Sequence, residues 1–180
     1  MPADDDARGE ETFAVAPPEW VGAVSDARDR GFTFFDWLTG VDRTYDEAAP
    51  GFDVVVRLLD PRRIGELRGI RISTRVAEGA PVPSLTGLFK GAAWHERELH
   101  EMFGIDVAGF DDGTGLGLRP LLLPDGFQGT PLRKSFQLAA RASKVWPGGK
   151  EPGEGHDSAK SPGRRRVQAP GVPDPQWGPR

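Results

Sequence analysis

The densest chemistry in the sequence lies in the stretch Trp94-His95-Glu96-Arg97-Glu98-Leu99-His100-Glu101-Met102-Phe103-Gly104. Histidines beside carboxylates suggest a zinc helix, in which imidazoles hold the metal and a glutamate serves as base. The spacing argues against it. Helical zinc ligands stand at i and i+4, so that both rings leave one side. His95 and His100 stand five apart, which at about 100° per residue turns them roughly 140° from each other. Glu96, Glu98, His95 and His100 could instead be the acid–base groups of an independent soluble enzyme, a reading that needs a defined pocket. Arg97 and Glu101 do stand at i, i+4 and are expected to form an ordinary helix ion pair, worth on the order of a few tenths of a kcal/mol.

Glu96 is less ordinary, because it falls on the apolar stripe that runs through Leu85, Phe89, Ala92, Leu99 and Phe103. A partly buried carboxylate needs donors or a countercharge. Two readings stay open: satisfaction by a backbone amide or arginine of this chain, or pairing with a charge across a subunit boundary.

The remaining motifs carry less. Gly113-Thr114-Gly115-Leu116-Gly117 lacks the strand, helix and glycine spacing of a dinucleotide loop, and Gly148-Gly149-Lys150 has no Ser or Thr after the lysine. Arg164-Arg165-Arg166 lies in a mixed tail and reads as solvated. The sequence contains no cysteine. Disulfides, thiolate-ligated iron–sulfur clusters, thiolate zinc sites and cysteine nucleophiles are thereby excluded. With a formal net charge of −4, the chain is not expected to bind nucleic acid. No run of about 18 apolar residues is present, so no membrane span is expected. The acidic start Met1-Pro2-Ala3-Asp4-Asp5-Asp6 does not suit a signal peptide, which points to a cytoplasmic location.

The elements that must position the central cluster follow from periodicity. Residues 1–16 are acidic and aperiodic and are expected to be disordered. A helix is predicted from Pro17-Pro18 to before Gly31, with Trp20, Val21, Val24 and Ala27 on its core face. Strands are predicted over 32–38, 52–59 and 70–76, the last alternating Ile70, Ile72, Thr74 and Val76 with polar residues. A long helix is predicted from Ser84 to Gly104, kinked or interrupted at Gly87 and Gly91, with Gly104 as the left-handed cap. Residues 17–104 thus read as an α+β domain, a small antiparallel sheet with helices on one face. Residues 105–138 are Gly- and Pro-rich yet carry Leu121-Leu122-Leu123, Phe127 and Leu132, which favours an extended segment ordered by contact with another protein. Residues 139–180 form a Pro- and Gly-rich basic tail expected to be disordered.

Two of these stretches carry a family pattern. The first reads Glu96-Arg97-Glu98-Leu99-His100-Glu101-Met102-Phe103-Gly104-Ile105. The second reads Arg119-Pro120-Leu121-Leu122-Leu123-Pro124-Asp125-Gly126-Phe127-Gln128-Gly129-Thr130-Pro131-Leu132-Arg133-Lys134-Ser135-Phe136. In that order they resemble the 30 kDa subunit family of the respiratory NADH:quinone oxidoreductases (complex I), with Thr130 and Ser135 where the family pattern has histidine and aspartate. Val82-Pro83-Ser84-Leu85-Thr86 resembles the start of the family's helix. The resemblance covers roughly residues 20–138.

What it implies is a non-catalytic, cofactor-free subunit of the peripheral arm at the cytoplasmic face of the cell membrane. The complex would use NADH, FMN, iron–sulfur clusters and quinone. The implied partners are the quinone-reacting large subunit and a cluster-bearing subunit. A related complex, such as a membrane-bound hydrogenase, is the neighbouring alternative. The expected partner interface takes Glu96, Arg97, Glu98 and Glu101 from the helix. From the segment it takes Arg119, Leu121, Leu122, Leu123, Phe127, Arg133 and Lys134, with Arg133 making a bidentate contact to a partner carboxylate.

Overall fold

The computed structural model of the protein describes residues 4–5, 10–62 and 68–137. In chain order the elements are β1 (Asp4–Asp5), β2 (Glu11–Val15), a 3-10 turn (Pro17–Glu19), α1 (Trp20–Asp29), β3 (Phe34–Asp42), β4 (Phe52–Asp60), β5 (Arg68–Val76), β6 (Val82–Pro83), α2 (Ala92–Phe103) and β7 (Val107–Ala108). The main sheet has the order β1-β2-β5-β4-β3. Its three long strands, β3, β4 and β5, are antiparallel neighbours.

The face that meets the helices is built by Phe52, Val54, Val56 and Leu58 of β4 and by Ile70, Ile72, Thr74 and Val76 of β5, all buried. Trp20, Val24 and Ala27 of α1 close one half of this face and Leu99, Met102 and Phe103 of α2 the other, forming one core cluster. The opposite face is ionic. Arg57 donates to Glu10 and, at 2.6 Å, to Asp36, while Arg75 pairs with Asp53, so the cross-strand charges neutralise one another. α2 lies close enough to β3 that a Cβ on Gly40 would come within 2.8 Å of Leu99 Cδ1. Glycine is needed there for the approach, not for its dihedrals.

The sheet differs from expectation at its N-terminal edge. Glu11–Val15 forms a strand running parallel to β5, where residues 1–16 read as disordered. Five residues are too few to show a period, and the acidic flank hides Phe13 and Val15, which pack against the core. The long predicted helix also begins later, at Ala92. Leu88 N and Phe89 N both bond Leu85 O, making a turn rather than a helical run, and Gly91 precedes the helix. The expectations for residues 1–3, 6–9 and 138–180, including the basic tail, lie outside the described residues.

Candidate partner interface

α2 carries the cluster, and its apolar positions fix which way each polar side chain points. Glu96 is on the buried side, 1% exposed. Its carboxylate accepts from Leu85 N at 2.6 Å and Ser84 Oγ at 2.7 Å. Burial pushes its pKa above the ordinary value, and these two donors offset part of the effect. Of the two readings left open for Glu96, the structure takes the intrachain one, so its expected place at an interface is corrected to the interior. His95 and His100 diverge: His95 Nδ1 lies 3.1 Å from Leu38 O on the sheet edge, and His100 Nδ1 lies 3.2 Å from Ile105 O. Among the described residues no group of three or more His, Cys, Asp or Glu side chains could hold a metal.

The rest of the cluster faces the segment after Gly104. Arg97 donates from Nε to Arg119 O at 3.1 Å and from Nη2 to Pro120 O at 2.7 Å. One turn later, Glu101 Oε1 accepts from Leu121 N at 3.1 Å and Leu123 N at 2.9 Å, and Oε2 accepts from Leu122 N at 2.7 Å. Successive amides converging on one anion form a nest, here filled by the chain's own carboxylate. The expected Arg97–Glu101 ion pair is therefore replaced, since both side chains turn to the segment's backbone. The geometry follows from need: three consecutive amides with no strand partner require an acceptor, and a carboxylate has lone pairs for all of them.

A second fastening closes the helix end. Gly104 takes the left-handed conformation, φ 67° and ψ 31°, as its sequence position predicts. The last turn leaves carbonyls without helical donors. Leu132 N bonds Met102 O at 3.1 Å, and Arg133 Nε bonds Phe103 O, which puts a cation at the negative end of the helix. Arg133 Nη1 reaches Glu78 at 2.6 Å and its guanidinium lies 4.9 Å from the Phe52 ring centre. The carboxylate that Arg133 meets within the chain is that of Glu78. Lys134 N then bonds Asp42 Oδ2 at 2.6 Å. Burial works against the charge on Asp42, but bonds from Thr44 Oγ1 and from the amides of Thr44 and Lys134, with the Lys134 charge, hold its pKa below the ordinary value.

The contact that orders the segment is with its own domain. The fastening divides its apolar residues. Leu118 and Leu123 lean on the core, and Leu121 is half-buried. Leu122 and Leu132 are held outward, 58% and 54% exposed, and on α2 Trp94 is 64% exposed with Arg97 beside its ring. Glu98 is half-buried, the Lys134 side chain is exposed, and the Arg119 side chain pairs with Asp112. Gly126–Gly129 and 135–137 belong to a separate small unit, in which the Phe127 and Phe136 rings stand 6.2 Å apart. Sequence reasoning missed Trp94 as an exposed large apolar side chain and Asp42 as a receptor for the segment. The one available signal for Asp42 was its parity: it sits opposite Phe52, on the face that faces the core.

Residues 13–142 match the family described as respiratory-chain NADH dehydrogenase, 30 Kd subunit. The chain belongs to this family. The match starts inside β2, so the unexpected strand is part of the shared unit. Among its relatives, a NADH-quinone oxidoreductase subunit of Sinorhizobium medicae is 38% identical over 133 residues, covering 72% of this chain and 61% of that one. The protein of the same description from Agrobacterium fabrum is 40% identical over 137 residues, covering 74% and 64%. The chain therefore spans somewhat under two thirds of the length of these relatives. A solved trypsin-resistant fragment (1-134) of Nqo5 shares 28% identity at a TM-score of 0.54, covering 62% of this chain and 88% of the fragment. A chain from a structure of the membrane-bound sulfane sulfur reductase, an archaeal respiratory membrane complex, has the same fold at 21% identity and a TM-score of 0.59, covering 76% and 78%.

Proposed function

We propose that this chain is a cofactor-free structural subunit in the hydrophilic arm of a NADH:quinone oxidoreductase. It would scaffold neighbouring subunits that carry electrons from NADH through FMN and iron–sulfur clusters to quinone. The observation that carries the reading is the fastened segment: its backbone is satisfied by α2, yet Leu122 and Leu132 remain more than half exposed. Large apolar side chains held rigidly in water are favourable anchors for a protein partner, because little conformational entropy is lost on docking. Family membership supports other peripheral-arm subunits as the class of partner, and in this proposal they are the quinone-reacting and cluster-bearing ones. No helix among the described residues is long and apolar enough to cross a membrane, so attachment to the cytoplasmic face of the membrane would run through those partners. An independent acid–base enzyme is a weaker reading, since Glu96 is sealed in the interior and His95 and His100 serve different elements. The shared fold with a chain of an archaeal respiratory membrane complex keeps a related complex as the second reading.

The test is co-purification of a tagged chain from membranes in mild detergent. The wild type is expected to bring redox-active, NADH-oxidising partners. The double variant Leu122→Asp with Leu132→Asp should fold, because neither side chain is in the core, and should come alone. Two lost anchors at about 1–2 kcal/mol each correspond to roughly 100-fold weaker assembly. A wild-type chain that purifies alone, or a double variant that assembles normally, would refute the proposal.

A further inference from the structure

We infer that residues 119–125 and 130–134 are set in their docking shape on the free subunit, and that Glu101 is the positioning residue that sets it. The inference rests on bonds within the chain alone and stands whether or not the assignment to an oxidoreductase arm holds.

The argument begins with what an unfastened segment would do. Residues 118–125 contain neither helix nor strand, so their amides have no regular ladder to bind. In most such segments water satisfies the amides and the chain samples many shapes. Here Leu121, Leu122 and Leu123 place consecutive amides on one carboxylate at 2.7–3.1 Å. Charge-assisted bonds of this kind are roughly twice as strong as neutral ones. They also fix register: only one arrangement of the three residues lets every amide reach Glu101. That arrangement turns Leu123 toward the core and Leu122 outward.

Arg97 reinforces the same register from the preceding carbonyls, those of Arg119 and Pro120. Arg97 and Glu101 thus read the backbone in sequence, one by its acceptors and the other by its donors. Neither contact uses a side chain of the segment, so the register does not depend on which residues face outward. At the far end Leu132 N and Lys134 N are tied to Met102 O and Asp42. With both ends tied to the domain, the outward leucines are presented without a partner, and docking needs no coupled folding step.

Hydrogen–deuterium exchange on the full chain, without any partner, tests this. In the wild type the amides of residues 121–123 should exchange well below free-chain rates. Glu101→Ala should speed them by roughly 10- to 100-fold, and Glu101→Gln, which keeps an acceptor oxygen and loses the charge, should fall between. Protection across β4 and β5 should be unchanged, since the bonds of the Glu101 carboxylate go to the segment. Should Glu101→Ala fail to fold, Glu101→Gln reads the same point. Free-chain exchange of residues 121–123 in the wild type would overturn the inference. So would unchanged protection in both variants, or an equal loss across β4 and β5 in the Gln variant, which would make Glu101 a general stabiliser.

Discussion

Substituting Gly104 by alanine tests whether the segment caps α2, because two separable costs meet at that residue. The first is conformational. At φ 67° an L-residue is strained by about 1 kcal/mol relative to glycine. The second is steric. A Cβ there would lie 3.0 Å from Arg133 Nη2 and 3.0 Å from Thr130 Cγ2. Arginine ends usually swing aside cheaply, but this one is held by Phe103 O, Glu78 and the Phe52 ring. Moving it forfeits a charge-assisted bond to the helix end, about 1–2 kcal/mol. Gly104→Ala should therefore cost about 2–3 kcal/mol, and about 1–2 kcal/mol less in an Arg133→Ala background, where only the dihedral strain and the Thr130 contact remain. Urea unfolding of the four proteins of this cycle measures the difference as a coupling energy. Equal costs in both backgrounds would show that Arg133 does not sit against the helix end, and the capping argument would fail. No cost in either would show that α2 does not end at Gly104.

Two smaller tests concern the interior. Thr74 is 1% exposed and its Oγ1 has no hydrogen-bond partner, so Thr74→Val should stabilise the chain by about 1 kcal/mol; a loss in thermal or urea unfolding would reveal a partner for the hydroxyl. Glu96 has a folded-state pKa above its ordinary 4.5, so the folded protein binds the extra proton and stability declines as pH rises from 4.5 through the folded value. Glu96→Gln removes that dependence and should gain on the wild type over this window in urea titrations between about pH 4 and 8. Parallel curves would mean that Glu96 is not buried.

The parts legible in the sequence were those with local signals. β5 alternates because one face meets helices and the other meets water and charges, and β4 was legible from its β-branched run Val54-Val55-Val56. Gly104 was legible because a helix end with glycine at that position has one economical geometry. β2 was not, since its partner β5 lies more than fifty residues away and a parallel pairing needs no turn nearby to mark it. The destination of Glu101 was not legible either. Spacing pointed to Arg97 four residues earlier, an ordinary helix ion pair worth little. Three unpaired amides some twenty residues later make a far stronger claim on the same carboxylate. Local rules see only near neighbours, so they rank the weak partner first.

The same comparison explains why the two long motifs read from the sequence behave as one device. In the helix motif, Arg97 and Glu101 look like surface charges and Met102-Phe103-Gly104 like a helix end. In the segment motif, Leu121 to Leu123 look like a short apolar run without regular structure and Arg133 and Lys134 like charges meant for a partner. Each half is deficient alone: the helix has unsatisfied terminal carbonyls, and the segment has unsatisfied amides. Joined, the Glu101 carboxylate takes the segment's amides, Arg97 takes its carbonyls, and Leu132 and Arg133 return donors to the helix end. What remains unsatisfied after this exchange is apolar rather than polar: Trp94, Leu122 and Leu132 in water. Burying any of these side chains would cost no backbone hydrogen bond, so each could be covered at the gain of apolar burial alone. The proposed scaffolding role rests on that division between bonds that shape the segment and side chains left free to meet another protein.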